Sequence, residues 1–316
     1  MTRLDTLVRA PVDLSGYRLG APQEAGALTM VPVSGPERPG IVPPRSGLKL
    51  NRVVGYGSVE LHNGAPSGVA IVPLHIGYIQ EGAQNHALCS AALLGAGETR
   101  LFDDACCVQA AQGGYLEGRD QWFFVLPLEL RAKALALRGK PGYSKLWQDI
   151  STVNRGYGLA ERGHLEQILT RKRAVLTQFR SRLELLPGQL GAVFFVDGKF
   201  AGLEIAPDPR YFAEMWMPLV CFAYGVAAWQ AEPRRREVEP YQDVRSIAEL
   251  RERLELGRES HADHLRHGMP ADTEMYSVEQ ERYLDLRLHT LTGAAVAGQV
   301  VTERDRVVYA SLFAVR

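Results

Sequence analysis

A β-hairpin signal at residues 189–205 constrains the fold of this chain more than any other feature. Residues 190–196 form an apolar run that is long enough for a strand and too short for a typical helix. Asp197-Gly198 follows, and this pair favours a two-residue turn because both positions need a positive φ. Residues 199–205 then predict the return strand. Because the first strand is apolar on both faces, we expect its sheet to be covered on both sides.

A mostly apolar helix is predicted directly after this hairpin. Asp208 is a good N-cap, and Pro209 suits the first helical position because the amide hydrogen that it lacks has no partner there. Between residues 211 and 229 the only charged residue is Glu214. This pattern indicates a buried core helix, which Pro218 should kink. A membrane span is the alternative, but the kinked segment is short for a bilayer.

Composition indicates an ordinary soluble chain. The 316 residues are enough for one large domain or two ordinary ones, and 46% hydrophobic and 23% charged residues are typical of globular proteins. Lys plus Arg equals Asp plus Glu at 36 each, so only a local basic patch could contact nucleic acid. The four cysteines lack zinc spacing, and the N-terminus lacks an apolar signal core. We therefore expect a cytoplasmic protein that has reduced thiols and no membrane contact.

The order of elements along the chain predicts an α+β fold. Strand patterns dominate residues 28–127 and 284–315, and helical patterns lie between them, which disfavours a parallel doubly wound sheet. We predict antiparallel sheets built from β-hairpins and packed by two main helices at about 160–186 and 209–231. The chain would form a single α+β domain over 1–316.

A polar insertion or linker is predicted at about 232–270. Within it, Ser246 and Glu249 form a capping box that opens a short helix ending at Gly257, and polar loop follows. The last hairpin, in 284–315, resembles the central one. It is either a weak internal repeat or an ordinary hairpin, and we favour the second reading because hairpins share composition for physical reasons.

Five segments carry a resemblance to a known family. They occur in the order found in the ARG and rhodanese-phosphatase-superfamily-associated protein domain, and the resemblance spans roughly residues 28–313. The segments are 81–87, 106–109 together with Gly114-Tyr115, 146–150, 191–204 and 307–313. The name of that family reflects neighbouring genes linked to ADP-ribosyl and phosphate chemistry, which implies no reaction and no cofactor.

Three positions depart from the pattern of that family. A basic residue is usual after Gln-Asn, where this chain has His86. An acidic residue is usual where this chain has Gln109, and a tryptophan where it has Tyr115. The resemblance thus raises the question of whether these departures abolish an ancestral activity.

Four polar residues are candidates for ligand binding: Gln84, Asn85, Gln109 and Glu204. Gln84 and Asn85 follow an apolar strand, and amide side chains carry paired donors and acceptors that suit a base edge or a sugar. The alternative is a turn in which they bond to nearby backbone. Glu204 is either a buried carboxylate with a partner, able to act as a base, or a solvated strand residue, which is the commoner case.

Histidines and cysteines supply weaker candidates. His261, His264 and His267 could form a metal site, but steps of three spread them over about 120° of a helix, and an exposed loop is the favoured reading. Cys106 and Cys107 could be nucleophiles, although the sequence specifies no base near them. Basic residues at 171–182 and 234–236 could contact phosphates or form a solvated face.

Three function classes remain open. The first is a domain that binds or processes a nucleotide- or ADP-ribose-related small molecule through Gln84, Asn85 and Glu204. The second is a non-enzymatic interaction or scaffold protein, homo-oligomeric and able to contact nucleic acid through a local basic patch. The third is a metal hydrolase that uses the histidines. Whether the chain is an enzyme stays open.

Overall fold

A computed structural model describes residues 3–80, 84–110, 121–232, 244–270 and 274–315. It has the α+β fold that the sequence predicts, with several antiparallel sheets and interspersed helices. The strands are β1 (Arg18–Leu19), β2 (Gln23–Ala25), β3 (Leu28–Ser34), β4 (Ile41–Val42), β5 (Leu48–Gly55), β6 (Ser58–Asn63), β7 (Val69–Val72), β8 (Ile76–Gln80), β9 (His86–Ala87), β10 (Ala92–Leu94), β11 (Thr99–Phe102), β12 (Cys106–Cys107), β13 (Gln121–Val125), β14 (Gly191–Val196), β15 (Lys199–Ile205), β16 (Met275–Tyr283), β17 (Leu286–Gly293), β18 (Val296–Glu303) and β19 (Arg306–Ala314).

Helices occupy the middle of the chain and the predicted insertion. They are α1 (Pro44–Gly47), α2 (Leu128–Ala136), α3 (Trp147–Gly156), α4 (Glu166–Arg171), α5 (Arg173–Arg182), α6 (Pro209–Met217), α7 (Gly225–Ala231) and α8 (Ile247–Gly268). A π-helical segment, Pro218–Tyr224, joins α6 to α7.

One large antiparallel sheet organises the fold. Its strands run in the order β1-β3-β14-β15-β19-β18-β17-β16, and β2 adds to β3. The central hairpin β14–β15 turns at Asp197-Gly198, where both residues have the positive φ that the turn requires (52° and 71°). All six residues of β14 are buried, which confirms that this sheet is covered on both faces.

The apolar rod that follows the hairpin is helical throughout but not uniformly α-helical. Asp208 caps it by accepting a hydrogen bond from the Tyr211 backbone N–H at 2.8 Å, as predicted. At Pro218 the backbone changes to π-helical geometry, so the predicted irregularity takes this form. Pro209–Ala231 is long and apolar enough to cross a membrane, yet 78% of its most apolar stretch is buried inside the protein, as in a core helix.

The two faces of the large sheet carry different cores. One face packs against the helical rod and the smaller sheets, and Phe194, Trp216 and Phe222 lie in this core. The other face packs against residues 4–19 and α8, and it contains Phe200. The hairpin therefore contributes side chains to two separate interiors rather than to one.

Two helix predictions were wrong in extent. The long helix expected at 160–186 is broken at Lys172, which leaves helical geometry (φ −101°, ψ 3°) between α4 and α5. The short helix expected to end at Gly257 continues to Gly268. Its capping box is present, because the Glu249 backbone N–H bonds to Ser246 Oγ at 3.1 Å. Residues 233–243 of the predicted linker lie outside the described residues.

The strand pattern predicted for the first half of the chain is present. The first small hairpin turns at Tyr56-Gly57, between β5 and β6. The apolar run at 69–79 divides into β7 and β8, which belong to different sheets, and His75 has a positive φ (61°) at the break. The single-domain prediction stays a prediction.

Candidate functional site

Gln84, Asn85 and Gln109 converge at one end of the four-stranded sheet β12-β9-β8-β13. Pairing of β9 with β12 places Cys107 opposite His86 and so brings the flanking residues together. The Asn85 backbone N–H donates to Gln109 Oε1 at 3.0 Å. Gln84 is half-buried, whereas Asn85 and Gln109 are buried. We call these three residues the amide cluster.

His86 ties the amide cluster to a neighbouring hairpin. Its Nδ1 donates to the Gln84 backbone carbonyl at 2.9 Å, and its Nε2 accepts from the Gly57 backbone N–H at 3.2 Å. This pair of bonds requires the neutral tautomer that carries its proton on Nδ1. Burial lowers the pKa of His86, which favours the same neutral form.

The thiols beside the amide cluster are enclosed. Cys107 Sγ lies 3.5 Å from Gln84 Oε1 and 3.3 Å from the Gln109 carbonyl oxygen, and burial raises the pKa of Cys107. Cys106 Sγ lies 3.3 Å from Cys89 Sγ, and the hydrogen bond from Cys89 lowers the pKa of Cys106. Both thiols are 0% exposed, so the structure does not present either one as a nucleophile to an incoming substrate.

An imidazole–carboxylate pair adjoins the amide cluster. Gln109 forms an isolated β-bridge with His164, and His164 Nε2 lies 2.9 Å from Glu166 Oε2. Both side chains are buried. Sequence reasoning missed this pair because a histidine and a glutamate two residues apart, near the start of a helix, form no recognised motif.

Glu204 lies in a different cluster. The interpretation of Glu204 as a solvent-exposed strand residue is wrong. The residue is 5% exposed, because the helical rod and α2 cover this face of β15. Glu204 Oε1 accepts from Arg131 Nη1 at 2.7 Å and from the Tyr224 hydroxyl at 2.6 Å. Arg131 also donates to Ser311 Oγ and, through Nε, to His75 Nδ1 at 3.3 Å. We call these five residues the arginine cluster.

Arg131 is the residue that sequence reasoning overlooked. It is 0% exposed on α2, and its guanidinium lies over the Phe313 ring at 4.7 Å. The sequence did carry a signal that Arg131 is buried, because it falls at helical spacing between Leu128 and Leu135 on the apolar face of α2. A charged residue on an apolar stripe requires a buried partner. No described contact of Glu204 reaches the amide cluster.

The space beside Glu204 is too small for a nucleotide. A cavity of about 10 Å³ adjoins Glu204 and Ser311, and apolar side chains such as Leu74, Phe212 and Leu219 line the rest of it. That volume holds about one water molecule. The arginine cluster is therefore a structural network beneath the sheet, and the proposed recognition residues do not all meet at one concavity.

The histidine candidates lie on α8 and not in the predicted loop. His264 and His267 are exposed, and the His267 ring nitrogen Nδ1 bonds to the Asp263 carbonyl oxygen at 2.7 Å. The side chain of His261 lies outside the described residues. Within the described part of the chain, no group of three or more His, Cys, Asp or Glu side chains could hold a metal ion. The structure thus offers no support for a metal hydrolase built on these residues.

Two basic residues at the junction of α4 and α5 cover aromatic side chains. Lys172 Nζ lies 5.1 Å from the centre of the Trp229 ring, and the Arg173 guanidinium lies 5.3 Å from that of Trp122. Cations held against aromatic faces in this way stabilise packing. Arg171, Arg180 and Arg182 in the same segment are exposed. Residues 234–236 lie outside the described ranges.

Comparisons with known proteins identify one relationship. The family model described as ARPP-1, the ARG and Rhodanese-Phosphatase-superfamily-associated Protein domain, matches residues 16–313. This range includes the whole large sheet except the last residue of β19, and it includes both polar clusters. No curated protein and no solved structure matches the chain.

Proposed function

This chain belongs to the ARPP-1 domain family, and from that premise we propose that it binds a nucleotide- or ADP-ribose-related small molecule at the amide cluster. The observation that carries the proposal is convergence. Gln84, Asn85 and Gln109 come from segments that are 24 residues apart in sequence, and a direct bond from the Asn85 N–H to Gln109 Oε1 joins them. Binding sites are built from such convergent polar groups.

Contacts between family-like segments support the same location. Residues 84–87 pair with 106–107, and the Trp147 indole Nε1 donates to the Cys107 carbonyl at 3.0 Å. Three of the five segments that carry the resemblance therefore meet around the amide cluster. The other two, 191–204 and 307–313, pair with each other at the arginine cluster, where Glu204 lies opposite Ser311.

The chemistry of the amide cluster suits a nucleobase or a ribose. Each amide side chain offers donors and an acceptor within one plane, which is the arrangement that reads the edge of an adenine. Gln84 is the accessible member, and its Oε1 accepts a bond from the weak thiol donor Cys107 at 3.5 Å. A ligand can displace that bond at low cost, so Gln84 is the residue that we assign to first contact.

The departures at His86 and Gln109 differ in consequence. Gln109 uses Oε1 as an acceptor, a role that the acidic residue usual in the family would also fill. His86 accepts from Gly57 through Nε2, which a lysine or arginine cannot do. We therefore expect Gln109→Glu to preserve ligand binding and His86→Lys to disturb the neighbouring hairpin.

Thermal shift and calorimetry with AMP, ATP, NAD and ADP-ribose test the proposal. A ligand present at a hundred times its Kd stabilises a folded protein by about 2.7 kcal/mol, which raises Tm by several degrees in a protein of this size. We expect such a shift with at least one member of the panel. Chromatographic analysis of the same mixtures shows whether the ligand is also turned over.

Gln84→Ala is the decisive variant, and Gln280→Ala is its matched control. Gln280 is an exposed glutamine on β16, which belongs to a different sheet from the one that carries the amide cluster. We expect Gln84→Ala to abolish most of the ligand-induced shift while its own Tm stays close to that of the parent protein. Absence of any shift across the panel, or equal shifts for both variants, would contradict the proposal.

A second candidate function is self-association through strand β16. This strand is one edge of the large sheet, and no described strand pairs with its outer side. Tyr276 and Val278 on it are 70% and 58% exposed. An exposed sheet edge with apolar side chains can add a strand from a second copy.

Light scattering separates the two candidates. A homodimer formed through β16 would become monomeric in Val278→Lys, since a charge on the edge opposes strand addition. Binding of a small molecule at the amide cluster does not require the protein to be a dimer. A parent protein that is monomeric at all concentrations would remove this second candidate.

A further inference from the structure

A polar cleft of about 400 Å³ lies at the C-terminal hairpins, apart from both clusters described above. Three adjacent strands form its floor and supply Ser277, His289 and Thr302. Pro11–Asp13 and Asp305 form its walls. A volume of this size lies within the range of small-molecule sites. The cleft shares no lining residue with the amide cluster.

Strand register explains why the three floor residues face the same way. His289 pairs with Glu279 on one side and with Val300 on the other. Residues two positions apart in a strand share a face, so Ser277 and Thr302 lie on the face of His289. Ser277 Oγ is 3.3 Å from His289 Nδ1. The result is a continuous polar row across three strands.

The row lies among apolar and charged neighbours, because Glu279 and Arg287 share its face. Leu291 and Val300, on the same face, belong to the second core beneath residues 4–19. Thr302 is only 4% exposed, yet it lines the cleft. The cleft therefore presents hydroxyl and imidazole groups to a molecule that enters it.

The charges of the walls favour a neutral ligand. The Asp13 carboxylate accepts the Ser15 backbone N–H at 2.9 Å, and bonds from Ser15 hold the pKa of Asp13 below its usual value. Arg3 and Arg306 lie close enough to lower the pKa of Asp13 further, so this wall carries charges of both signs. The described side chains here form no group that could hold a metal ion. The donors that such acceptors need must come from hydroxyls of the ligand.

We propose that this cleft binds a neutral polyhydroxyl ligand of the monosaccharide class. Carboxylates accept hydrogen bonds from sugar hydroxyls, as they do from the ribose of dinucleotides, and the side chains of Ser277 and Thr302 both donate and accept. Pro11 and Val12 offer an apolar wall to the C–H face of a sugar ring. The carboxylates of Asp305 and Asp13 accept hydrogen bonds from the hydroxyl groups of the ligand.

Saturation-transfer NMR and calorimetry of the full chain with D-ribose and D-glucose test the proposal. We expect saturable binding of at least one sugar at millimolar concentration. Asp305→Asn should weaken binding about tenfold, because a charge-assisted hydrogen bond becomes a neutral one. Asparagine tolerates the positive φ of this turn position (68°), so the hairpin is retained.

Asp263→Asn on α8 is the matched control, since Asp263 is exposed and lies outside the cleft. Binding that is equal in Asp305→Asn and in the control, or no binding of either sugar, would overturn the proposal. D-ribose and D-glucose carry no base or phosphate. A Gln84→Ala protein that still binds them while losing its nucleotide shift would separate this cleft from the amide cluster.

Discussion

Arg131 and Glu204 form an ion pair that is enclosed on all sides, so single substitutions there have large consequences. Arg131→Leu leaves the Glu204 carboxylate buried without its cation, which costs about 3–5 kcal/mol in the free energy of unfolding. Urea denaturation followed by circular dichroism measures this loss. The double variant Arg131→Leu/Glu204→Leu should lose less than the sum of the two single variants, because it leaves no unpaired charge.

The exposed pair Arg155–Glu161 provides the control for this prediction. Its side chains are separated by 2.6 Å, as closely as the buried pair, but both are more than half exposed. Arg155→Leu should therefore change the unfolding midpoint little. Equal losses from Arg131→Leu and Arg155→Leu would show that burial of the first pair has been misjudged.

His86 makes stability depend on pH. Burial lowers its pKa in the folded protein below the usual value of about 6.5, so the unfolded chain takes up a proton first as the pH falls. Stability is complete above pH 6.5 and decreases below it, by at most about 1.4 kcal/mol per pH unit for this histidine. His75, whose pKa burial also lowers, adds to the same trend.

Unfolding free energies at pH 7.5 and 5.5 test this dependence. His86→Gln removes one titrating group, so its stability should fall less over this interval than that of the parent protein. Carboxylates contribute equally to both proteins and cancel in the comparison. An identical pH dependence would show that His86 is not held neutral in the fold.

Single residues also show where prediction from sequence fails. Asp208 could be assigned as a helix cap because its partner, the Tyr211 N–H, is three residues away. The ion pair of Glu204 was harder to predict, because its partner Arg131 is 73 residues away on a helix that the sequence pattern did not reveal. Gln109 and Asn85 became neighbours only through the pairing of β9 with β12. Such contacts depend on sheet register, which no local pattern specifies.

At the scale of elements, the central hairpin depends on its turn and on α8. Gly198 has φ +71°, and a Cβ there would lie 2.8 Å from His264 Nε2. Gly188 has φ +74° but meets no atom within 4 Å. Both alanine variants carry the same backbone strain, of about 1–2 kcal/mol. We expect Gly198→Ala to cost more than Gly188→Ala in chemical denaturation.

The added cost in Gly198→Ala arises from the contact between the turn and α8. Replacing His264 with alanine in the Gly198→Ala background should restore the stability lost through this contact, since it removes the ring that the new methyl group meets. No recovery would mean that α8 does not rest on the hairpin.

Elements defined by local signals were the predictable ones. The turn at Asp197-Gly198 lies between apolar runs as expected, and Arg304-Asp305 forms a second turn in which both residues have positive φ. The break at Lys172 was not predictable, because apolar spacing continues through it. At that point the chain leaves helical geometry and Lys172 covers Trp229, a contact with a distant helix. The same limit applies to α8, whose last turns pack on the central hairpin through Leu265.

At the scale of the whole molecule, burial of all four cysteines predicts an unreactive native state. Cys89, Cys106, Cys107 and Cys221 are buried free thiols, and burial raises the pKa of Cys221 to about 11. Native protein should not react with Ellman's reagent on the timescale of minutes. In denaturant, four thiols per chain should react. Rapid reaction of any one in native protein would contradict the packing described here.

The α+β class followed from the order of strand and helix patterns, but the architecture did not. The large sheet places β19, the last strand, beside β15 from the middle of the chain. It also places β3, from the first tenth of the sequence, on the other side of the central hairpin. Many different strand orders are compatible with the same alternation of apolar residues along the strands. Only packing of the helical rod and of residues 4–19 on opposite faces selects this one.

That strand order has a consequence for the kinetics of folding. The partner of β15 on one side, β19, lies more than 100 residues later in the sequence. The Tyr17 hydroxyl donates to the Val307 carbonyl at 2.7 Å across a separation of 290 residues. Closing loops of this length costs entropy before any contact is gained, so the central hairpin should form before β19 pairs with it. A fragment that ends before residue 306 would leave one edge of β15 unpaired, and chaperones that recognise apolar strands should bind it.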